Sequence, residues 1–276
     1  MQGEDDATGE ENGRPSPFRN NAIMEDLMAV QHLTALHAAI SECPPLADAI
    51  VMFKVWLRQR DLPTGGSFNG FLSSMLMVYL IKQRQLNTQM SSYQLFRVTL
   101  GYLGSGAILK GISLAEEPSP HVFEAFKEAF PVVFLDQSGR LNLTSRVTLG
   151  GIKELQHEAN LAMGYLKEDA KRGFQALFLQ PVSFSLKFDQ YFTMQPPPSL
   201  LKRPRSEPLD DRNWDDRLIA QMQETLEDAL HEKLPLIVLR FPLLSSWSLG
   251  ESAPSHSRIV GGVMIDPATE IGRAHV

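Results

Sequence analysis

Residues 62–84 read LPTGGSFNGFLSSMLMVYLIKQR: a glycine pair, a short polar stretch, then a nearly unbroken apolar run. Three readings compete for such a stretch: a phosphate-cradling loop, a membrane span, or the start of a buried helix. A phosphate loop of the Walker type needs a lysine and a hydroxyl residue directly after its second glycine. Here Ser67 and Phe68 follow Gly66. The apolar run, Phe71 to Ile81, is eleven residues long and holds Ser73 and Ser74, whereas a span needs about 20 apolar residues. A helix apolar on all sides is buried at the centre of a fold. Lys82 and Arg84 then suit the negative end of its dipole.

Helical signals surround this centre. Asn20 and Asn21 are placed to cap a helix from about Ala22, with Ile23, Leu27, Val30, Leu33 and Ile40 as its inward stripe. Pro44 and Pro45 stop that helix and open another, whose inner face is Leu46, Ile50, Phe53 and Leu57. Asp48, Lys54, Arg58 and Arg60 fall away from that face. Ser91 or Ser92 caps a fourth helix with Leu95, Phe96, Leu100 and Leu103 inward. Gly101–Gly111 reads as a flexible, glycine-rich segment, and Pro120 opens a short helix. The run VVFLDQSGRLNLT predicts a hairpin turning at Asp136–Gly139, and Ile152–Leu166 predicts a helix with Ile152, Leu155, Ala159 and Met163 on one face.

Beyond it the pattern changes. FQALFLQ and VSFSLKFDQYF read as strands, and the proline-rich segment after Gln195 reads as an exposed loop. Leu218, Met222, Leu226 and Leu230 mark an amphipathic helix, and LPLIVLRFP and SRIVGGVMID read as two more strands. The predicted class is therefore α+β: an acidic linker over 1–19, a mainly helical domain over 20–172, and a partial α+β domain over 173–269. Back-translated, Glu270–Val276 matches a common sequencing adapter, so residues 270–276 are set aside as a scar.

Composition narrows function. The chain has 276 residues, 43% of them hydrophobic, and a formal net charge of -6. Enough apolar surface exists for a core, and no chain-wide basic footprint exists for nucleic acid. The single cysteine, Cys43, precludes an internal disulfide and reads as a buried thiol. His157 and Glu158 lack the HExxH spacing, since position 161 is Leu, and read as an exposed helical face. His32 and His37 are five apart and share a helix face poorly. No GxSxG occurs. Asp136 and Asp266 each lack a second carboxylate two residues on, the D-x-D pattern that places two acids on one strand face for shared magnesium. Both read as turn residues.

Two sites stay open on the residues alone. Gly65, Gly66 and Asn69 form either a plain turn or a place where backbone and amide meet a nucleotide at a helix start. Lys54, Arg58 and Arg60 are either a solvated face or the wall of an RNA-facing groove beside that turn. Lys202, Arg203 and Arg205 form a second basic cluster, in a segment (202–217) where five basic residues meet five acids.

FKVWLRQRDL, GGSFNGFLSSMLMVYL, MSSYQLFRVTLGYL, VVFLDQSGRLNLTSRVT, QHEANLAM and GVMIDP occur here in one order. In that order they resemble the nucleolar RNA-associated protein (Nrap) family, from about Asn21 to Thr269 and more loosely after Ser183. The resemblance implies a pseudo-enzyme built from nucleotidyltransferase and poly(A)-polymerase-like modules. The first domain here would be the helical module similar to poly(A) polymerase and oligoadenylate synthetase, and the second part of a nucleotidyltransferase-like module. It implies no membrane, no cofactor and a nucleolar place in the small-subunit processome, with pre-ribosomal RNA and other assembly proteins as partners. Gly65, Gly66 and Asn69 match the turn that holds an incoming nucleotide in active relatives, with Ser67 departing from the usual spacing. The alternatives are an active template-independent nucleotidyltransferase whose catalytic module lies upstream, and a helical protein-binding module with no RNA role.

Overall fold

A computed structural model describes residues 17–62, 68–168, 170–197, 199, 214–230, 234–240 and 259–265. Their architecture is mainly helical α+β. Helices α1 (Pro17–Glu42), α2 (Pro45–Gln59), α3 (Gly70–Lys82), α4 (Ser92–Gly104), α5 (Pro120–Ala129) and α6 (Leu149–Glu168) make the first body, continued by the short α7 (Ala170–Phe174). Two two-residue strands, β1 (Ile112–Ser113) and β2 (Phe134–Leu135), pair in parallel within it. The second body joins α8 (Trp214–Leu230) to a three-stranded antiparallel sheet, β3 (Gln190–Met194), β4 (Leu236–Arg240) and β5 (Ile259–Met264), with β5 in the middle.

Local chemistry accounts for the helix starts. Pro45 opens α2 and Pro120 opens α5, where a missing N–H costs nothing. Ser91 and Gln94 form a capping box at α4: the Ser91 hydroxyl accepts from the Gln94 N–H, and the Gln94 side chain accepts from the Ser91 N–H. α3 is buried on every side from Leu72 to Val78. Its neighbours supply Phe53, Trp56, Leu57, Leu95, Phe96, Leu100, Ile152 and Leu155 to one continuous core.

Three segments depart from the pattern-based expectation. FQALFLQ is not a strand: Gln175–Leu179 is a π-helical turn, and Leu177 and Phe178 enter the first core beyond residue 172. VSFSLKFDQYF gives a 3₁₀ turn, Phe184–Leu186, before β3. α1 starts before Asn20, so Asn20 and Asn21 lie inside it. Four of the five residues of its expected inward stripe face outward, with Ile23 50%, Leu27 64%, Val30 74% and Leu33 67% exposed; Ile40 packs on the core, and Asn21, His32 and Ala39 face in.

Polar partners explain that reversal. Asn21 and Asn142 bond reciprocally: Asn21 Nδ2 donates to the Asn142 carbonyl (3.0 Å), and the Asn142 N–H donates to Asn21 Oδ1 (2.7 Å). His32 Nε2 lies 3.2 Å from the Asp136 carboxylate, both side chains buried. Burial pushes the Asp136 carboxyl up, but bonds from His32 and Ser138 outweigh it and hold it below the ordinary range. A lowered folded-state pKa contributes stability above the unfolded value and loses it as pH falls. Stability should therefore drop as pH falls below about 4, the ordinary carboxylate value. Asp136→Asn should cost about 2 kcal/mol at neutral pH and flatten that acid limb in urea melts taken between neutral and acid pH.

In the second body, Gly261 and Gly262 let aromatic rings cross β5 at close range. A Cβ on Gly261 would lie 2.3 Å from Phe192 Cζ, and one on Gly262 would lie 2.1 Å from Phe188 Cδ2. α6 meets this body through buried charge. Lys187 Nζ donates to Glu154 at 2.7 Å with both side chains 2% exposed. Arg240 on β4 pairs with Asp61, donates to its carbonyl at 2.7 Å, and stacks 3.8 Å from the Phe184 ring centroid.

Candidate nucleic-acid interface

The opening of α3 brings together two of the residues singled out from sequence, Asn69 and Lys54. Asn69 has extended backbone and caps the helix, its Oδ1 accepting from the N–H groups of Phe71 (3.0 Å) and Leu72 (2.9 Å). Ser73 and Ser74 turn their hydroxyls back to the Gly70 carbonyl, which hides them in the core. Gly70 leaves room for α2: a Cβ there would lie 2.9 Å from Lys54 Cγ. The Lys54 stem therefore runs across the start of α3, where Asn69 already takes the N–H groups of Phe71 and Leu72 and the helix dipole alone favours an anion. Arg58 follows one turn later on the same exposed face of α2. Gly65 and Gly66 lie outside the described residues.

Arg60 departs from the expected groove. It is buried, its Nε 3.7 Å from Glu158 Oε2 and its Nη2 donating to the Ala176 carbonyl at 3.2 Å. Nor is Glu158 on an exposed face: it and Glu154, one turn apart on α6, are both buried. Arg60 is thus a structural cation and cannot meet phosphate.

Sequence reasoning missed one member of this surface. Phe71 is 40% exposed directly after Gly70, its ring centroid 5.7 Å from that of His32. Its signal was visible as the first apolar residue after a capping Asn, still outside the buried turns. Val51 and Val55 are exposed on α2 among the cations. Two exposed cations on α2 and an exposed ring at the start of α3 can hold a phosphate and stack a base. Among the described residues no group of three or more His, Cys, Asp or Glu is placed to hold a metal ion. None of their helices is long and apolar enough to cross a membrane. Lys202, Arg203, Arg205 and Asp266 lie outside the described residues.

The helical body coincides with a family match. The model of the Nrap protein PAP/OAS-like domain matches residues 45–181, from the start of α2 to just past the π-helical turn. Nucleolar protein 6 of Homo sapiens is 35% identical over 252 residues, covering 88% of this chain and 22% of the human protein. The chain belongs to the Nrap family. Nucleolar protein 6 of Xenopus laevis is 33% identical over 266 residues, 92% of this Nrap chain and 23% of the frog protein. The mouse protein is 33% identical over 256 residues, with 88% and 22% covered. The chain thus spans between a fifth and a quarter of the relatives it matches, and the part of its first body from α2 to residue 181 matches the family's PAP/OAS-like domain.

Proposed function

We propose that this Nrap chain is nucleolar and acts in ribosome biogenesis as a non-catalytic scaffold of the small-subunit processome, contacting pre-ribosomal RNA during its processing. The second body is read as part of a nucleotidyltransferase-like module. The helical body keeps a polymerase-like shape for docking RNA and other assembly proteins, and the start of α3 serves as architecture and phosphate contact.

One observation carries this reading. The Asn69 carboxamide oxygen, placed where an active relative would meet a nucleotide, is spent on capping α3. The cations left open to solvent there, Lys54 and Arg58, suit a backbone of phosphates. Membership of a family whose relatives are named nucleolar protein 6 supports the nucleolar setting.

The test is RNA binding by the chain and by Lys54→Glu/Arg58→Glu. Reversing two phosphate contacts should weaken binding about tenfold or more and lower the salt slope by about two. Both substitutions are at exposed positions, so the melting temperature should hold. Unchanged affinity with an unchanged salt slope would remove RNA from this face.

A further inference from the structure

We infer that the outward stripe of α1 is the seat of another module of the longer Nrap protein. Ile23, Leu27, Val30 and Leu33 follow steps of four, three and three residues, which aligns them on one side of the helix. They are 50–74% exposed, although Asn21, His32 and Ala39 pack the opposite side. A separate groove of about 410 Å³ lies on another flank of α1, where Asn21 and Met24 face Val122, Phe126, Phe130 and Arg140, and none of the four stripe residues lines it.

Two facts select the occupant. The PAP/OAS-like match begins at residue 45, so α1 lies outside that domain although it packs on it. The matched segment is 22% of human nucleolar protein 6, so most of that protein lies elsewhere. The area argues against a second copy. Four half-exposed aliphatic side chains present roughly 400 Å², about half of the roughly 800 Å² per partner of a stable complex. A module on the same polypeptide needs less area, because the covalent link raises its effective concentration to about millimolar. RNA fits poorly: the stripe holds no cation, and Asp26 beside it is an exposed acid. The complementary surface is an apolar helix or sheet face with a basic rim opposite Asp26.

The experiment replaces the aligned segment of human nucleolar protein 6 with this chain and compares hydroxyl-radical labelling of residues 23–33 there and in the chain alone. Several-fold protection in the long protein is expected, with labelling of the isolated chain independent of its concentration. Equal labelling in both would overturn the inference. So would protection of the isolated chain that grows with concentration, which would assign the stripe to self-association. As a second reading, Leu27→Glu/Val30→Glu should leave the melting temperature of the isolated chain unchanged. It should abolish capture of the isolated chain by the remainder of the human protein. Capture that survives the pair, or no capture by the unaltered chain, would also overturn it.

Discussion

Met75→Asp is expected to abolish the cooperative melting of the helical body. Met75 lies in the middle of α3, fully buried, with Ser74 and Leu76 beside it equally enclosed. No cation of α2 or α4 reaches that position in the core, which is built there of Phe53, Trp56, Leu95, Phe96 and Leu100. A carboxylate placed there loses its water and gains no partner. The cost, more than about 5 kcal/mol, is comparable with the whole stability of an ordinary domain. Near-UV circular dichroism and a thermal scan read the result directly. Phe71→Asp, four residues earlier on the same helix and 40% exposed, should leave the transition nearly in place. If both variants melt alike, α3 is not the centre of the fold.

Lys187→Met should cost about 3–5 kcal/mol, because it strips a buried carboxylate of its cation. Burial holds the Glu154 carboxyl above the ordinary range even with Lys187 and Arg240 attracting it, so its ionised form is already expensive. The sign follows. A carboxyl with a raised folded-state pKa loses stability as pH rises through the carboxylate range and regains it when protonated. The loss in Lys187→Met should therefore be largest at neutral pH and shrink toward acid pH, opposite to the acid limb set by Asp136. Glu154→Gln/Lys187→Met should recover most of the stability, since an amide needs no cation. Urea denaturation of the four forms at two pH values gives the cycle. Equal losses in the single and double variants would mean that the Lys187 stem, and not its charge, matters.

The helices that form the centre of the fold were readable because their signals are local. Proline at the first turn fixed the starts of α2 and α5, Ser91 and Gln94 that of α4, and the all-round apolar run fixed the burial of α3. α1 was read inside out from Ile23 to Leu33 because it is apolar on two sides, and periodicity does not say which side has a partner. The deciding partners of Asn21 and His32 are Asn142 and Asp136, more than a hundred residues away. Glu158 was misread for the same reason: its cation, Arg60, comes from another part of the chain. Of the candidate site, Lys54 and Asn69 come together at the start of α3, Arg58 stays exposed one turn further along α2, and Arg60 is drawn away by Glu158. Phe71 was counted with the apolar run, although its place in the first turn, directly after the capping Asn69, is where a ring can stay outside.

The proposal under test is that the PAP/OAS-like helical body serves here as a scaffold without nucleotide chemistry. The most direct measurement is primer extension by human nucleolar protein 6 carrying this chain in place of its aligned segment, with an RNA primer, nucleoside triphosphates and magnesium. The account predicts no nucleotide added to the primer at any magnesium concentration. Metal-dependent extension by the purified protein, lost when its carboxylates are replaced by amides, would contradict it.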